Sequence, residues 1–145
     1  MPFTVKDALM LDIFKNAKVI AGHKGLNNEI NWVNILEILD DIELLHENEL
    51  LITTAFGLNS IESQYLKDIF MQFHYKKLAA LVIQTGYYID QIPVTMQELA
   101  NQYNLPIIQL PQKASFSEIT KVVSEKILEE DLNLEFVKKI NTILY

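Results

Sequence analysis

Hydroxyls, carboxamides and glycines collect behind short aliphatic runs in this chain. Thr53, Thr54 and Gly57 follow Leu50-Leu51-Ile52, Gln84, Thr85 and Gly86 follow Ala79 to Ile83, and Pro111-Gln112 follow Ile107 to Leu110. If those runs are neighbouring parallel strands, the polar groups meet at the strands' carboxyl ends, where open α/β sheets present a binding crevice. Hydroxyls, amides and glycine-exposed backbone suit a neutral, hydrogen-bonding small molecule, and Phe56, Tyr87 and Tyr88 are placed to stack on it. Thr and Gly also end strands in folds that bind nothing, so these residues alone leave both readings open.

Other chemistries find less support. His23, His46 and His74 stand in unlike contexts, and His46-Glu47-Asn48-Glu49 lacks the second histidine of a metalloprotease helix, so no metal site and no cofactor are expected. Glu37, Asp40, Asp41 and Glu43 form an acidic cluster. Paired carboxylates can do acid and base work only in a pocket that tunes them, and apart from Asp40 these read as a solvated turn. Gly22-His23-Lys24-Gly25 has the outline of a nucleic-acid-clamping loop, but a tight turn needing permissive φ explains the glycines more simply. No phosphate-binding loop or nucleophile elbow is found, and no catalytic residue is assigned.

The 145 residues are 50% hydrophobic, enough for one sizeable core. With no cysteine there are no disulfides or thiolate sites, which suits a reducing, cytoplasmic setting. No apolar run approaches the roughly 20 residues that span a bilayer, so no membrane association is expected. The formal net charge is -7 and all 12 basic residues are lysines. Without a positive field or a guanidinium fork, these residues are a poor ligand for a nucleic-acid backbone or a strongly anionic effector.

The elements that must position the crevice are marked by composition. Small polar residues with an acid three positions later suggest helix starts at Thr4/Asp7, Asn59/Glu62, Thr95/Glu98 and Ser115/Glu118. Aliphatic runs at Val19-Ile20-Ala21, Trp32 to Ile38, Leu50 to Thr54, Leu78 to Gln84 and Ile107 to Leu110 read as strands, several of them buried on both faces. Trp32, set among Val33, Ile35 and Leu36, is expected in the core. Helices over Ile61 to Lys77 and Met96 to Tyr103 complete two successive βαβ units. From Ser117 to Tyr145 nothing interrupts a helix, or two with a bend. Val123, Ile127, Leu134, Val137 and Leu144 trace a heptad seam, broken by Glu130 and Asn141. The expected fold is α/β, a mostly parallel sheet flanked by helices with a long C-terminal helix. Residues 1–116 form the folded domain and 117–145 a linking and dimerising helix, whose end lacks a stop signal and is expected to continue into a further domain.

Val5-Lys6-Asp7-Ala8-Leu9, Ala21-Gly22, Gly25-Leu26, Ile30-Asn31-Trp32-Val33 with Glu37 and Asp40, Glu49 to Thr54, Ala79 to Ile83, Gly86, Ile92-Pro93 and Leu105 to Pro111 follow one another in a familiar order. Over roughly Thr4 to Ile127 the chain resembles the N-terminal domain of PucR-type transcriptional regulators, the purine-catabolism regulator family. The family often has glycine where this chain has Ala55. The resemblance implies a module that senses a small-molecule effector, joined through a helix to later regions that include a helix-turn-helix DNA-binding domain absent from this chain; the apolar positions of the long helix add the expectation of a homodimer. It suggests a purine or purine-breakdown metabolite, which the strand-end residues Thr53, Thr54, Gly57, Gln84, Thr85 and Gly86, with Asp40, are expected to hold. The alternatives are a dimerisation module without ligand, and a small-molecule hydrolase using Asp40. The order of elements is also similar to the small N-terminal α/β domains of Mur ligases, which speaks to fold.

Overall fold

The computed structural model describes residues 2–37 and 42–144, with all their side chains except those of Asn59, Ile143 and Leu144. Asp40, the end of the expected strand at Ile38, and the Leu144 side chain of the heptad seam therefore lie outside the described residues.

Among the described residues nine elements follow in order: α1 (Val5–Leu9), β1 (Lys18–Ala21), β2 (Trp32–Ile35), β3 (Glu49–Thr53), α2 (Ser63–Tyr75), β4 (Ala80–Gln84), α3 (Val94–Tyr103), β5 (Ile107–Leu110) and α4 (Phe116–Leu144), with short 3-10 turns between several of them. The sheet runs β1-β5-β4-β3-β2. Strands β2 to β5 are mutually parallel, and β1 closes one edge antiparallel to β5. The fold is thus the expected α/β type with a mostly parallel sheet.

Alternation along the strands divides the core into two layers. Leu51, Leu81, Ile83 and Ile107 pack under α2 and α3, against Phe70, Phe73, Met96 and Leu99. On the other face, Leu50, Ile52, Ala80, Val82 and Ile108 pack under Val5 and Ala8 of α1, Phe14, and Ile119 and Val123 of α4. Every residue of β3 and β4 is buried, which is why both read as unbroken aliphatic runs.

Two of the four expected helix starts correspond to side-chain caps. The Asp7 amide donates to Thr4 Oγ1 and the Thr4 amide to Asp7 Oδ2, a reciprocal box at α1. The Glu118 amide donates to Ser115 Oγ at the head of α4. Asn59 belongs instead to a 3-10 turn, with α2 starting after Glu62, and Thr95 lies inside α3, which starts after Pro93.

Trp32 is a correction. It is 51% exposed, on a strand at the edge of the sheet, and its indole stacks on the His46 imidazole with centroids 4.2 Å apart. Gly22 adopts φ +71°, and a Cβ there would lie 1.9 Å from the Leu105 carbonyl oxygen, so the close approach of β1 to the α3–β5 turn requires glycine. Gly25 has a different reason: its Cβ would lie 2.0 Å from the Asn104 carbonyl oxygen.

Helix α4 is a single helix of 29 residues. Its first turns are held on the sheet by Ile119 and Val123, with Ile127 partly buried beside them. Farther along, Leu128, Leu132, Leu134, Phe136, Val137 and Ile140 are exposed. No helix among the described residues is long and apolar enough to cross a membrane.

Candidate functional site

Parallel pairing of β3 with β4 and of β4 with β5 places Thr53, Gln84 and Leu110 at one edge of the sheet. The turns that follow carry Thr54 to Gly57, Thr85 to Tyr88 and Pro111 to Ala114. Phe56 and Tyr88 meet edge to face across the first two turns, with centroids 5.0 Å apart. Thr53, Thr54, Gly57, Gln84, Thr85 and Gly86 therefore share one edge of the fold.

Most of their polar atoms have partners within the protein. Buried Thr53 accepts from the Ala55 amide at its Oγ1, 3.1 Å away. Ala55 is buried at φ +64°, a left-handed conformation that glycine adopts without a Cβ penalty, so the turn keeps a glycine-like backbone in spite of its methyl. Thr54 donates its amide and its hydroxyl to Glu37 Oε1 at 3.1 and 2.7 Å, and the Phe56 amide donates to Glu37 Oε2 at 2.8 Å. A carboxylate 17 to 19 residues upstream thus shapes the loop after β3.

On the neighbouring strand the Gln84 side chain, 5% exposed, directs its amide nitrogen at three carbonyl oxygens: Pro111 at 3.3 Å, Gln112 at 3.0 Å and Ala114 at 2.8 Å. With two hydrogens for three acceptors, at least one hydrogen is shared. The group holds the turn from which α4 departs. Thr85 donates its hydroxyl to the Leu110 carbonyl at 3.4 Å and accepts from Gln109 Nε2 at 3.3 Å. Gly86, at φ +100°, lies under Gln112, whose Nε2 donates to its carbonyl at 3.3 Å. The Tyr87 hydroxyl donates to the Gln112 carbonyl at 3.3 Å. Phe56, Tyr87 and Tyr88 expose more than half of their surface and form the apolar rim.

This arrangement can offer aromatic faces and backbone edges to a flat, uncharged molecule. The parts played by two residues were not legible from sequence. Glu37 read as part of a solvated acidic turn, and it is instead the acceptor that organises Thr54 and Phe56. Gln112 is expected at the strand ends, but its bond to the Gly86 carbonyl has no local signal, because it depends on β5 ending beside Gly86.

A family model described as the purine catabolism regulatory protein-like family matches residues 7–127. The chain is 35% identical over 125 residues to the purine catabolism regulatory protein of Bacillus subtilis (strain 168), an alignment covering 86% of this chain and 23% of that protein. The chain therefore spans about a quarter of the length of the curated relative it matches.

Proposed function

The chain belongs to the purine catabolism regulatory protein-like family, and from that membership we propose that it is the effector-sensing and dimer-forming module of a cytoplasmic transcriptional regulator. The family and the named relative support a regulatory role. In the finer reading, residues 1–116 sense, 117–145 link and dimerise, and DNA is met through a domain outside these residues. The effector is a purine or purine-breakdown metabolite at the edge formed by Thr53, Thr54, Gly57, Gln84, Thr85 and Gly86, with Asp40 contributing. The lack of arginine favours an uncharged base or ureide over a strongly anionic metabolite.

The observation that carries this reading is the Gln84 carboxamide. It ends the strand beside the effector edge, and it holds the turn that launches α4. A ligand that repositions β4's end thereby biases how α4 leaves the domain. Leu128, Leu132, Phe136 and Ile140 recur every fourth residue on the exposed part of that helix. A second copy would cover this stripe symmetrically.

A thermal-shift screen with purines, pyrimidines, ureides and common amino acids tests the proposal. The expected result is a raised midpoint with one chemical class, lost in Phe56→Ala/Tyr88→Ala. Gly86→Val is a poor blocking variant, because φ +100° strains any side chain there. A second reading, a dimerisation module without ligand, is favoured by the internal pairing of Thr53, Gln84 and Thr85. A midpoint unmoved by the whole panel decides for it.

A further inference from the structure

We propose that a second small-molecule site, distinct from the strand-end crevice, lies at the opposite edge of the sheet and takes a planar, hydrogen-bond-donating compound that is neutral or singly positive. A cavity of about 300 Å³ opens there, where β3, β4 and β5 begin. That is the small end of the range for ligand pockets. Its apolar floor is Phe73, Leu78 and Leu105.

The backbone at its walls is unusual. Four non-glycine residues of the described chain have positive φ, and three of them, Asn48 (62°), Lys77 (55°) and Asn104 (53°), line this one cavity. Lys77 and Asn104 follow the ends of α2 and α3, positions where glycine ends a helix without a Cβ penalty. The chain spends none of its four glycines here. Asn tolerates this conformation better than most side chains and Lys does not, so the wall of the cavity holds at least Lys77 at a backbone cost.

The lining defines the ligand's chemistry. Asn28, Asn48 and Asn104 line it beside the floor, and the Asn28 side-chain amide nitrogen donates to the Ala79 carbonyl at 3.1 Å. The His74 and Tyr103 rings, with centroids 4.9 Å apart, make a wall on which a flat ring can stack. Two helices of 13 and 10 residues end at the cavity, each bringing the negative end of its dipole, and the Glu29 carboxylate adds to it. The Lys77 ammonium is countered by Glu47, 3.4 Å away. The field thus favours N–H donors and a positive charge, and it opposes an anion.

Benzamidine, benzamide and benzoate share shape and differ in charge, so they serve as probes at millimolar concentration, with amide chemical shifts as the readout. Benzamidine or benzamide is expected to shift residues 48, 77 and 104, and benzoate is expected to leave them in place. The variant Asn48→Gly/Asn104→Gly removes two side chains where glycine suits the backbone, so it keeps its thermal midpoint and binds at least ten-fold more weakly. Undiminished affinity in that variant, equal binding of benzoate, no shift with any probe, or shifts confined to Phe56 and Tyr88 would each overturn the proposal. The last of these would still leave the effector edge of the proposed function in place, and the residues that shift tell the two apart.

Discussion

Replacing Gln84 by glutamate changes one atom's chemistry at nearly constant shape, and the structure gives the consequence a sign. The wild-type amide nitrogen faces carbonyl oxygens at 2.8, 3.0 and 3.3 Å in a nearly dry setting. In Gln84→Glu a protonated carboxyl retains one donor in place of two, a loss of about 1 kcal/mol. An ionised carboxylate would set negative oxygen against three acceptors, so the folded state holds the proton and the group's pKa rises above the unfolded value of about 4.3. The folded state then binds more protons than the unfolded one, and stability falls as pH rises by up to about 1.4 kcal/mol per unit. From pH 4.3 to 7 the fall is at most roughly 3.7 kcal/mol, limited by what it costs to open the 111–114 turn. Added to the lost bond, that reaches the lower end of domain stabilities of about 5–15 kcal/mol. Urea unfolding of both proteins at pH 4.5, 5.5 and 7 measures it. Gln84→Met, which also loses the donors but cannot ionise, should show a constant deficit. A deficit in Gln84→Glu that does not change with pH would refute the claim that this side chain closes the turn.

Trp32, being exposed and stacked on His46, should be strongly quenched by iodide, and Trp32→Ala should cost only about 1 kcal/mol; a shielded indole would contradict the edge placement of β2. Gly22→Ala must fit a Cβ 1.9 Å from the Leu105 oxygen at a left-handed φ, so a loss of about 3 kcal/mol or more is expected in chemical denaturation, and a stable variant would show that β1 can retreat from the α3–β5 turn. Truncation after Glu129 keeps Ile119, Val123 and Ile127 and removes most of the exposed stripe. Sedimentation should then show a folded monomer, against a dimer for the whole chain at micromolar concentration; a monomeric whole chain at ~100 μM, where an interface of about -6 kcal/mol would largely assemble, would rule out dimerisation through α4.

The parts of the fold legible in sequence are those whose burial is uniform. β3, β4 and β5 are covered on both faces, so their aliphatic runs announce them, and the uninterrupted stretch after Ser115 announces α4. Trp32 was misleading because an apolar strand at the sheet edge has the same local composition as one in the middle, and only the strand order decides its exposure. The Asn59 and Thr95 signals failed because a polar residue followed by an acid also suits a 3-10 turn or the first turn of a helix. The gathering of Thr54, Thr85 and Gly86 at one edge was legible from strand direction. What those residues bond to was not: the acceptors of Gln84 lie 27, 28 and 30 residues away. The left-handed residues at the other edge were equally hidden, since Lys77 and Asn104 acquire that conformation only from where α2 and α3 stop.

The Gln84 contacts also bound how strongly the proposed sensor edge can speak to α4. Two neutral hydrogen bonds and the turn they order are worth about 2–3 kcal/mol in total. An effector acting through this carboxamide cannot shift the α4 equilibrium by more than that difference, which corresponds to a factor of roughly 30 to 150. Moving a two-state helix from almost wholly one state to almost wholly the other needs about 5.5 kcal/mol. Two copies joined through α4 and switching together would add their contributions and come close to it. On this arithmetic one copy acting through the carboxamide can carry the helix from about 1:12 to 12:1 at most, and a swing from about 1:99 to 99:1 by this route needs two copies switching together.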